Sequence, residues 1–383
     1  MNKIEYEYDV HKNYGLLVSK NDYTKKGLSG LMNLGAKCFA SSIIQCLSNT
    51  LSLTDYFLST KYKEDIDISS NISKKCPESL VLINYNNLIT TMWSENQIIK
   101  PKSFMESVAL FHKKYFRMAQ QDSHEFLLYL LDLLHKSIKY EIEVDIKGNV
   151  VTYKDKLMKE SIETWKKFYE KDYSFIIDTF NGTTISNISC NGCQNKNAIF
   201  EPYNSFSLSL PNKNTTLNEC LNNYFDNNEI IEYWKCDKCK TSGCTKDTKI
   251  WTIPNYVILH LKRFKEVPVN ISNGMTLRSH CLKNTNLVDF PLKDLDLTKY
   301  ISSDKNDTNN YLYDLYAINQ HSGDLNSGHY WASCKNLDDN WYQFNDADVS
   351  KYNSSSDCDA HIKQKLVTNE AYILFYRRKM VKR

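Results

Sequence analysis

Two pairs of cysteines in the second half of the chain restrict its possible folds most strongly. Cys190 and Cys193 form one CxxC pair, and Cys236 and Cys239 form another after the 42 residues from 194 to 235. Each pair can form a tight turn with both thiolates directed at one ion, and four thiolates complete a tetrahedral zinc site. The fold must therefore bring two turns together from both ends of a long insert.

Other uses of these cysteines are open at this point. A CxxC pair also occurs in redox proteins, but no thioredoxin-like βαβ pattern surrounds either pair. The four residues could also be unrelated buried cysteines. Cys220 and Cys244 lie nearby, and Cys244 could replace Cys239 as a ligand, although it has no partner at the CxxC spacing. The ligand chemistry favours one structural zinc ion.

Another cysteine, Cys38, lies at the start of a predicted helix. A glycine-punctuated loop precedes it, and the apolar residues that follow with helical spacing are Ala40, Ile43, Ile44, Leu47 and Leu51. The unpaired N–H groups and the dipole at a helix N-terminus stabilise a thiolate, which is the nucleophilic form of cysteine. A small buried cysteine that begins a core helix is an equally acceptable interpretation.

Residues that could activate a nucleophile come near the C-terminus. His329 follows Gly328 at the start of an aromatic run, and Asn345 and Asp346 come sixteen and seventeen residues later. On the adjacent strand of a hairpin, either could orient the imidazole as the base for a cysteine nucleophile. A structural histidine followed by an Asn-Asp turn is the alternative.

Composition argues against several classes of protein. A formal net charge of +3 gives no support for nucleic-acid binding. No apolar run has the length of a signal peptide or a membrane span. Twelve cysteines suit a reducing compartment only if some hold metal and one does chemistry. We therefore predict an intracellular protein, in the cytoplasm or the nucleus, that binds neither nucleic acid nor membrane.

The pattern of residues changes near the middle of the chain. Up to about residue 165 the apolar spacing is helical, and residues 123–138 are apolar on most faces. Beyond Phe175, short runs rich in Ile, Thr, Phe and Tyr are typical of strands. The two halves together predict an α+β fold. The predicted strands are 183–189, 206–210, 256–261, 311–320, 330–335 and 372–377, and the predicted loops are 61–77, 301–310 and 352–358.

These features together resemble one family, the ubiquitin-specific proteases, which are papain-like deubiquitinating cysteine peptidases. Its cysteine box, Q-Q-D-A-H-E-F, L-K-R-F, histidine box, W-x-x-F-[DN]-D and A-Y-x-L-x-Y all have counterparts. They are residues 30–45, 120–126, 261–264, 321–330, 341–346 and 371–376. Six matches in order over nearly the whole chain are far more specific than any one of them.

The resemblance implies a right-hand architecture of thumb, palm and fingers. A helical thumb would cover residues 27–165 and zinc-ribbon-like fingers 178–252. A β-rich palm would cover 166–177 and 253–378. The whole of 27–383 would be a single catalytic domain after a leader, 1–26.

The resemblance also implies roles for single residues. Cys38 would be the nucleophile, His329 the base and Asn345 the residue that orients it, with Asp346 as a neighbouring source of charge. Asn33 occupies the family's oxyanion-hole position. The side chains implied to contact the ubiquitin tail are Gln121, Asp122, Glu125, His321 and Tyr330.

The acidic residues near the tail have a second interpretation. The C-terminal tail of ubiquitin, the substrate of this family, carries arginines. Carboxylates pair with arginine in a bidentate manner. Asp122 or Ser123 could instead cap the following helix, and Glu125 could be a first-turn acid. Capping and tail binding are compatible.

Some residues depart from the family pattern. Ala36 and Lys37 precede the nucleophile, and Ala40 and Ser41 follow Phe39. A lysine beside the cysteine could help to hold a thiolate, or its bulk and charge could disturb the loop. An asparagine as third residue can fix the imidazole tautomer, although it stabilises imidazolium less than a carboxylate does.

The implied function is hydrolysis of the peptide or isopeptide bond after the C-terminal glycine of ubiquitin, through an acyl-enzyme on Cys38. Zinc would be structural, with no catalytic cofactor. The partners would be ubiquitin and ubiquitinated proteins, and the protein would be monomeric. Two alternatives are a catalytically weak ubiquitin-binding scaffold, suggested by Lys37 and Ser41, and a protease for another ubiquitin-like modifier.

Overall fold

The architecture is described from a computed structural model. The described residues are 26–66, 77–115, 117–226, 228–269, 278–302, 311–324, 327–352 and 359–379. The predicted leader, apart from Lys26, and the greater part of each of the three predicted loops lie outside these residues.

Helices dominate the described residues up to position 180. They are α1 (Cys38–Ser48), α2 (Leu51–Leu58), α3 (Ser79–Ser94), α4 (Lys102–Phe111), α5 (Ser123–Ile138), α6 (Tyr153–Tyr169) and α7 (Phe175–Phe180). Two more, α8 (Leu217–Phe225) and α9 (Asp359–Leu366), lie between strands. Among the helices that the structure describes, none is long and apolar enough to cross a bilayer.

The strands follow the predicted pattern. In chain order they are β1 (Gly30–Leu31), β2 (Ile98–Ile99), β3 (Gly182–Cys190), β4 (Lys196–Tyr203), β5 (Phe206–Ser209), β6 (Thr215–Thr216), β7 (Glu229–Lys235), β8 (Ser242–Thr252), β9 (Tyr256–Lys262), β10 (Phe264–Val269), β11 (Arg278–Lys283), β12 (Val288–Asp289), β13 (Leu295–Asp296), β14 (Leu312–Ser322), β15 (His329–Lys335), β16 (Trp341–Asn345), β17 (Asp348–Lys351) and β18 (Ala371–Arg378). All six predicted strands are confirmed to within two residues at each end, and so is the α+β class.

Two larger sheets organise these strands. The central sheet has the order β17-β16-β15-β14-β18-β9-β5, with β13 beside β14. Its neighbours are antiparallel except for β5 and β9. A second sheet has the order β4-β3-β8-β7 and is antiparallel throughout. Three two-stranded pairs, β1 with β2, β6 with β12 and β10 with β11, complete the described strands.

The central sheet is covered on both faces because its side chains alternate. Ile258 and Phe375 face one core, which also contains α1, α3 and α5. Their chain neighbours Leu259 and Leu374 face a second core, which contains α8. A strand places successive side chains on opposite faces, so runs apolar at every position are expected when both faces are buried.

α1 is the helix at the centre of the first core. All of its residues are buried. It lies against β15 of the central sheet on one side and α5 on the other. A helix in this position is held by packing along its whole length, so the geometry at its first residue is fixed.

α5 shows how the sequence sets helix ends. The Asp122 carboxylate accepts hydrogen bonds from the backbone N–H groups of His124 and Glu125, at 2.7 and 3.0 Å. His135 and Lys136 lie in the last turn. An acidic cap and a basic end both complement the helix dipole. The capping interpretation of Asp122 is thereby confirmed.

The predicted finger range, 178–252, is interrupted in the structure. Its two ends form the sheet of β3, β4, β7 and β8. The segment between β4 and β7 returns to the central sheet, where β5 pairs with β9 and α8 packs into the second core. Phe206 and Leu208 are the residues that β5 contributes to that core.

The base of the finger sheet rests on α6. Leu157 of the helix packs with Ile185, Phe200 and Trp251 of the sheet. The indole N–H of Trp251 donates a hydrogen bond to the Ser161 hydroxyl at 2.8 Å. The sheet is thus anchored at one end, and its two cysteine turns lie at the other.

Candidate active site

Cys38 is the first residue of α1 and is 1% exposed. Gly35 (φ 81°) and Ala36 (φ 50°) both adopt left-handed backbone and turn the chain into the helix. The Cys38 thiol donates to the Gln120 side-chain carbonyl, with Sγ and Oε1 3.5 Å apart. The sulfur therefore faces the segment that leads into α5.

His329 begins β15 and lies opposite Ser322 of β14. Its Nε2 donates to the Asn345 carbonyl oxygen Oδ1 at 2.6 Å. Hydrogen bonding to the Cys38 thiol, helped by the Asn345 bond and opposed by burial, raises the pKa of His329 to about 9. Because Nε2 is bonded to Asn345, the nitrogen that is left for the hydrogen bond with Cys38 is Nδ1. The structure thus brings Cys38, His329 and Asn345 together as the sequence predicted.

Asp346 lies in the turn between β16 and β17, directly after Asn345. Its backbone is left-handed (φ 51°), a conformation that aspartate tolerates better than most residues. Its Oδ2 accepts a hydrogen bond from Asn33 Nδ2 at 3.0 Å. Burial raises the pKa of Asp346. The turn therefore aims Asn345 at His329 and Asp346 at Asn33.

The cysteine loop is fastened to this turn by backbone contacts. The Leu31 N–H donates to the Asp346 carbonyl at 2.7 Å. A Cβ on Gly30 would lie 2.0 Å from the Ala347 carbonyl oxygen, so only glycine fits there. Two segments more than 300 residues apart in sequence are thereby held in register beside Cys38.

Asn33, the predicted oxyanion-hole residue, is held at both ends of its side chain. Its Oδ1 accepts from the Lys37 backbone N–H at 3.0 Å, and its Nδ2 donates to Asp346. An amide nitrogen carries two hydrogens, and the Asp346 contact uses one of them. The oxyanion role stays a prediction, and the geometry is compatible with it.

Lys37, which departs from the family pattern, has a defined set of contacts in the structure. Its ammonium group donates to the backbone carbonyl of Arg117, and burial lowers its pKa. The side chain is buried, and its nitrogen lies 6.0 Å from the centre of the Phe39 ring. Lys37 therefore connects the nucleophile loop to the segment before α5.

The predicted tail-contact residues lie in two environments. Beside its capping bonds, Asp122 accepts a hydrogen bond from the Tyr372 hydroxyl. Glu125 is 59% exposed and pairs with Lys114, and Gln121 is half-buried. These residues border one end of α5, and their contact with a ubiquitin tail stays a prediction.

His321 and Tyr330 are buried, at 0% and 1% exposed, with ring centres 4.4 Å apart. Burial lowers the pKa of His321 to about 3, so the ring is neutral. A Cβ at Gly328 would lie 2.0 Å from His321 Nε2, which shows how closely that backbone covers the ring. Direct contact with a ubiquitin tail would require the backbone at Gly328 to move. In this conformation the two side chains are not accessible to such a ligand, and their predicted contact stays a prediction.

Gln120 is a residue that sequence reasoning missed. The Q-Q-D segment offers two adjacent glutamines, and only Gln121 is given a predicted role, contact with the ubiquitin tail. The structure places the other glutamine, Gln120, against the Cys38 sulfur. Sequence could have offered both residues, but which one faces Cys38 depends on how the chain enters α5.

The four predicted zinc ligands form one cluster. The sulfur atoms of Cys190, Cys193, Cys236 and Cys239 all lie within 4.8 Å of one another. Cys190 and Cys239 are 3.5 Å apart, and Cys193 and Cys236 are 3.8 Å apart. Sulfurs at about 2.3 Å around a tetrahedral zinc ion would be separated by about 3.8 Å. The donor set therefore fits a zinc ion, and the cluster contains Cys239 rather than Cys244.

Comparison with known proteins gives the family. The sequence model of the family described as ubiquitin carboxyl-terminal hydrolase matches residues 29–376, which is most of the chain. The chain belongs to this family. The resemblance seen in the six sequence motifs is thereby confirmed.

Curated relatives in the family are identical to this chain at about a third of the aligned positions. Human ubiquitin carboxyl-terminal hydrolase 2 is 33% identical over 93% of this chain and 56% of its own length. Drosophila melanogaster Usp2 is 32% identical over 99% of this chain and 38% of its own. The Gallus gallus relative is 34% identical over 92% of this chain and 93% of its own. The chain thus spans about half the length of the human relative.

Solved structures in the family share the fold. The SAGA DUB module that contains Ubp8, bound to monoubiquitin, matches with a TM-score of 0.69 at 23% identity. The match covers 98% of this chain and 74% of that chain. A second structure of the module is bound to ubiquitin aldehyde and gives the same values. The predicted fold, a right hand with a four-cysteine finger, is confirmed.

Proposed function

We propose that this protein is a deubiquitinase that hydrolyses the peptide or isopeptide bond after the C-terminal glycine of ubiquitin. The observation that carries this proposal is the meeting of Cys38, His329 and Asn345 from α1, β15 and β16. Family membership supports the reaction, and the ubiquitin bound to the Ubp8 module supports the substrate. The cytoplasm or the nucleus is the proposed location, because the proposed activity acts on an intracellular modifier.

The first half of the proposed reaction forms a thioester. The Cys38 sulfur attacks the carbonyl carbon of the glycine, and its proton is held by His329. The Cys38 backbone N–H and Asn33 Nδ2 would stabilise the oxyanion, at about 3 kcal/mol per donor. His329 then gives its proton to the leaving amine as the carbon–nitrogen bond breaks.

The second half restores the enzyme. His329 removes a proton from water, and the resulting hydroxide adds to the thioester carbonyl. The carbon–sulfur bond breaks, ubiquitin leaves with a free carboxylate, and Cys38 and His329 again share one proton. Asn345 holds the ring with Nδ1 toward the sulfur during both halves.

The remaining assignments follow from this proposal. The helical part of the chain would be the thumb, the central sheet the palm and the sheet of β3, β4, β7 and β8 the fingers. One zinc ion held by the four-cysteine cluster would stabilise the finger tip, with no part in catalysis because four thiolates form a closed shell. The protein would act as a monomer on ubiquitin and ubiquitinated proteins.

A ubiquitin probe with a C-terminal electrophile tests the proposal directly. Covalent labelling of Cys38 is the expected result, because the probe places a reactive carbon where the scissile carbonyl would lie. Binding without labelling would indicate the scaffold alternative. Labelling only by a probe built on another ubiquitin-like modifier would indicate a protease for that modifier and overturn the substrate assignment.

Replacement of each of the three residues around Cys38 should lower kcat by a different factor. We expect His329→Ala to lower kcat about ten-thousandfold, since it removes the acid and base of both halves. Asn345→Ala should be at least about tenfold less severe, because Asn345 only orients the ring. Steady-state kinetics on a fluorogenic ubiquitin amide measures both. If Asp346→Ala proves much worse than Asn345→Ala, the third role belongs to Asp346.

The pH dependence should report the raised pKa of His329. Because that pKa is about 9, the ring is protonated below this pH and loses its proton above it. The value of kcat/KM should therefore fall as the pH rises through about 9. Asn345→Ala removes a bond that raises this pKa, so the falling limb should move to lower pH. If the falling limb of kcat/KM lies at the same pH in the wild type and in Asn345→Ala, the titrating group is not His329.

A further inference from the structure

Asn319 lies in the middle of β14 and is completely buried. Its Nδ2 donates to the Ser42 hydroxyl oxygen at 2.7 Å. Its Oδ1 accepts from the Ser123 hydroxyl, also at 2.7 Å. The Ser42 hydroxyl donates in turn to the Phe39 backbone carbonyl at 3.0 Å. One N–H of the Asn319 amide and both serine hydroxyl groups thus donate to an acceptor, and both hydroxyl groups are buried.

This one amide connects three elements that carry active-site groups. Ser42 lies one turn after Cys38 in α1, and Phe39 is the residue next to the nucleophile. Ser123 is the first residue of α5 and follows Gln120, which contacts the Cys38 sulfur. β14 itself pairs with β15, the strand that begins at His329.

The bonds act between the elements rather than within them. α1 and α5 each have apolar contacts to the sheet, but apolar packing has no direction and permits small sliding movements. A hydrogen bond fixes a distance and an angle, and in a dry interior it is strengthened by the low dielectric. The amide of Asn319 is therefore placed to set how far the start of α1 lies from the start of α5.

We propose that Asn319, through Ser42 and Ser123, is a positioning residue that holds Cys38 in register with His329 and with the segment before α5. The inference rests on the proposed function, because that function makes this register matter for catalysis. We call these three residues the serine clamp. Displacing a reacting atom by about 1 Å can cost a hundredfold in rate, so loss of the clamp should appear in kcat.

The test uses the full chain and four variants. Asn319→Leu removes both arms of the serine clamp and keeps the number and branching of the side-chain heavy atoms, whereas Ser42→Ala and Ser123→Ala each remove one arm. Ser137→Ala is the matched control. Ser137 is about as buried as Ser123 and lies in the same helix, but its hydroxyl donates to the Leu133 carbonyl within that helix, at 2.7 Å.

Two measurements separate positioning from general destabilisation. The first is kcat and KM on a fluorogenic ubiquitin amide, corrected for the folded fraction measured by thermal unfolding. The second is the rate of Cys38 alkylation by iodoacetamide against pH, followed at the Cys38 peptide by mass spectrometry. Alkylation reports the partnership of Cys38 with His329 and needs no ubiquitin.

We expect Asn319→Leu to lower kcat about a hundredfold with KM changed less than about threefold. Each single-serine variant of the clamp should lose about three- to tenfold, and Ser137→Ala less than about twofold. The alkylation profile should move to higher pH by at least about half a unit in Asn319→Leu and stay in place in Ser137→Ala.

The proposal is overturned if Asn319→Leu keeps kcat and the alkylation profile of the control. Should Asn319→Leu fail to fold, the single-serine variants decide, and values equal to those of Ser137→Ala count against the clamp. If the wild type hydrolyses no ubiquitin amide, the proposed function fails, and the alkylation profiles then decide the positioning role alone.

Discussion

Cys38→Ala is expected to lower turnover of a ubiquitin amide by more than about a thousandfold. The sulfur forms the covalent bond in the proposed mechanism, and alanine offers no replacement. Ubiquitin binding should stay as tight or become tighter, because the binding energy comes from a large surface outside the reacting atoms. Turnover is measured by steady-state kinetics and binding by calorimetry with free ubiquitin.

A second cysteine of α1 provides the control for this variant. Cys46 is buried in the same helix, at 0% exposed, and lies two turns after Cys38. Cys46→Ala should keep turnover within a few-fold of the wild type once the folded fraction is accounted for. Residual turnover above about a thousandth of the wild type in Cys38→Ala would exclude Cys38 as the nucleophile.

The fold was largely predictable because apolar periodicity marks elements that are buried. The strands around Ile258 and Phe375 appeared as short apolar runs, as strands covered on both faces do. The segment from Phe206 to Phe225 was placed in the fingers by its position between the two CxxC pairs. Its return to the central sheet depends on a parallel pairing with β9, which no local pattern shows.

The proposed nucleophile and base could be selected from the sequence because six motifs resemble one family, and the ligand cysteines because two CxxC pairs suit a four-thiolate zinc site. The contacts between them could not be predicted from it. Lys37 could not be assigned to the Arg117 carbonyl, nor Gln120 to Cys38, because each contact depends on the path of a loop. Asn319 carries no sequence signal of its own, since a buried asparagine is recognised only by the partners that the fold brings to it.

The histidine box shows a different limit. The sequence resemblance predicts that His321 and Tyr330 contact ubiquitin, whereas burial decides whether their atoms can reach a ligand. Both side chains are covered in this structure. Burial is a property of the neighbouring chain, here the backbone at Gly328, and a motif gives no measure of it.

Removal of zinc is the second change from which we expect a large effect, in this case on thermal stability and on ubiquitin binding. Cys236→Ser, or chelation, is expected to lower the midpoint of thermal unfolding by about 10 °C, because the free energy of metal binding also stabilises the folded fingers. Binding of full-length ubiquitin should weaken, because it needs the finger surface. Hydrolysis of a short peptide that mimics only the ubiquitin tail should change much less, because the Cys38 site lies in other elements.

Cys244→Ser separates loss of the metal from loss of a buried cysteine. Cys236 and Cys244 are both completely buried in the finger sheet, and Cys244 lies opposite Cys190 on the neighbouring strand. Only Cys236 belongs to the four-cysteine cluster. Elemental analysis should therefore find one zinc ion per chain in the wild type and in Cys244→Ser, and much less in Cys236→Ser. Carefully purified wild-type protein without zinc, or equal destabilisation by both variants, would show that the cluster is held by packing and not by a metal.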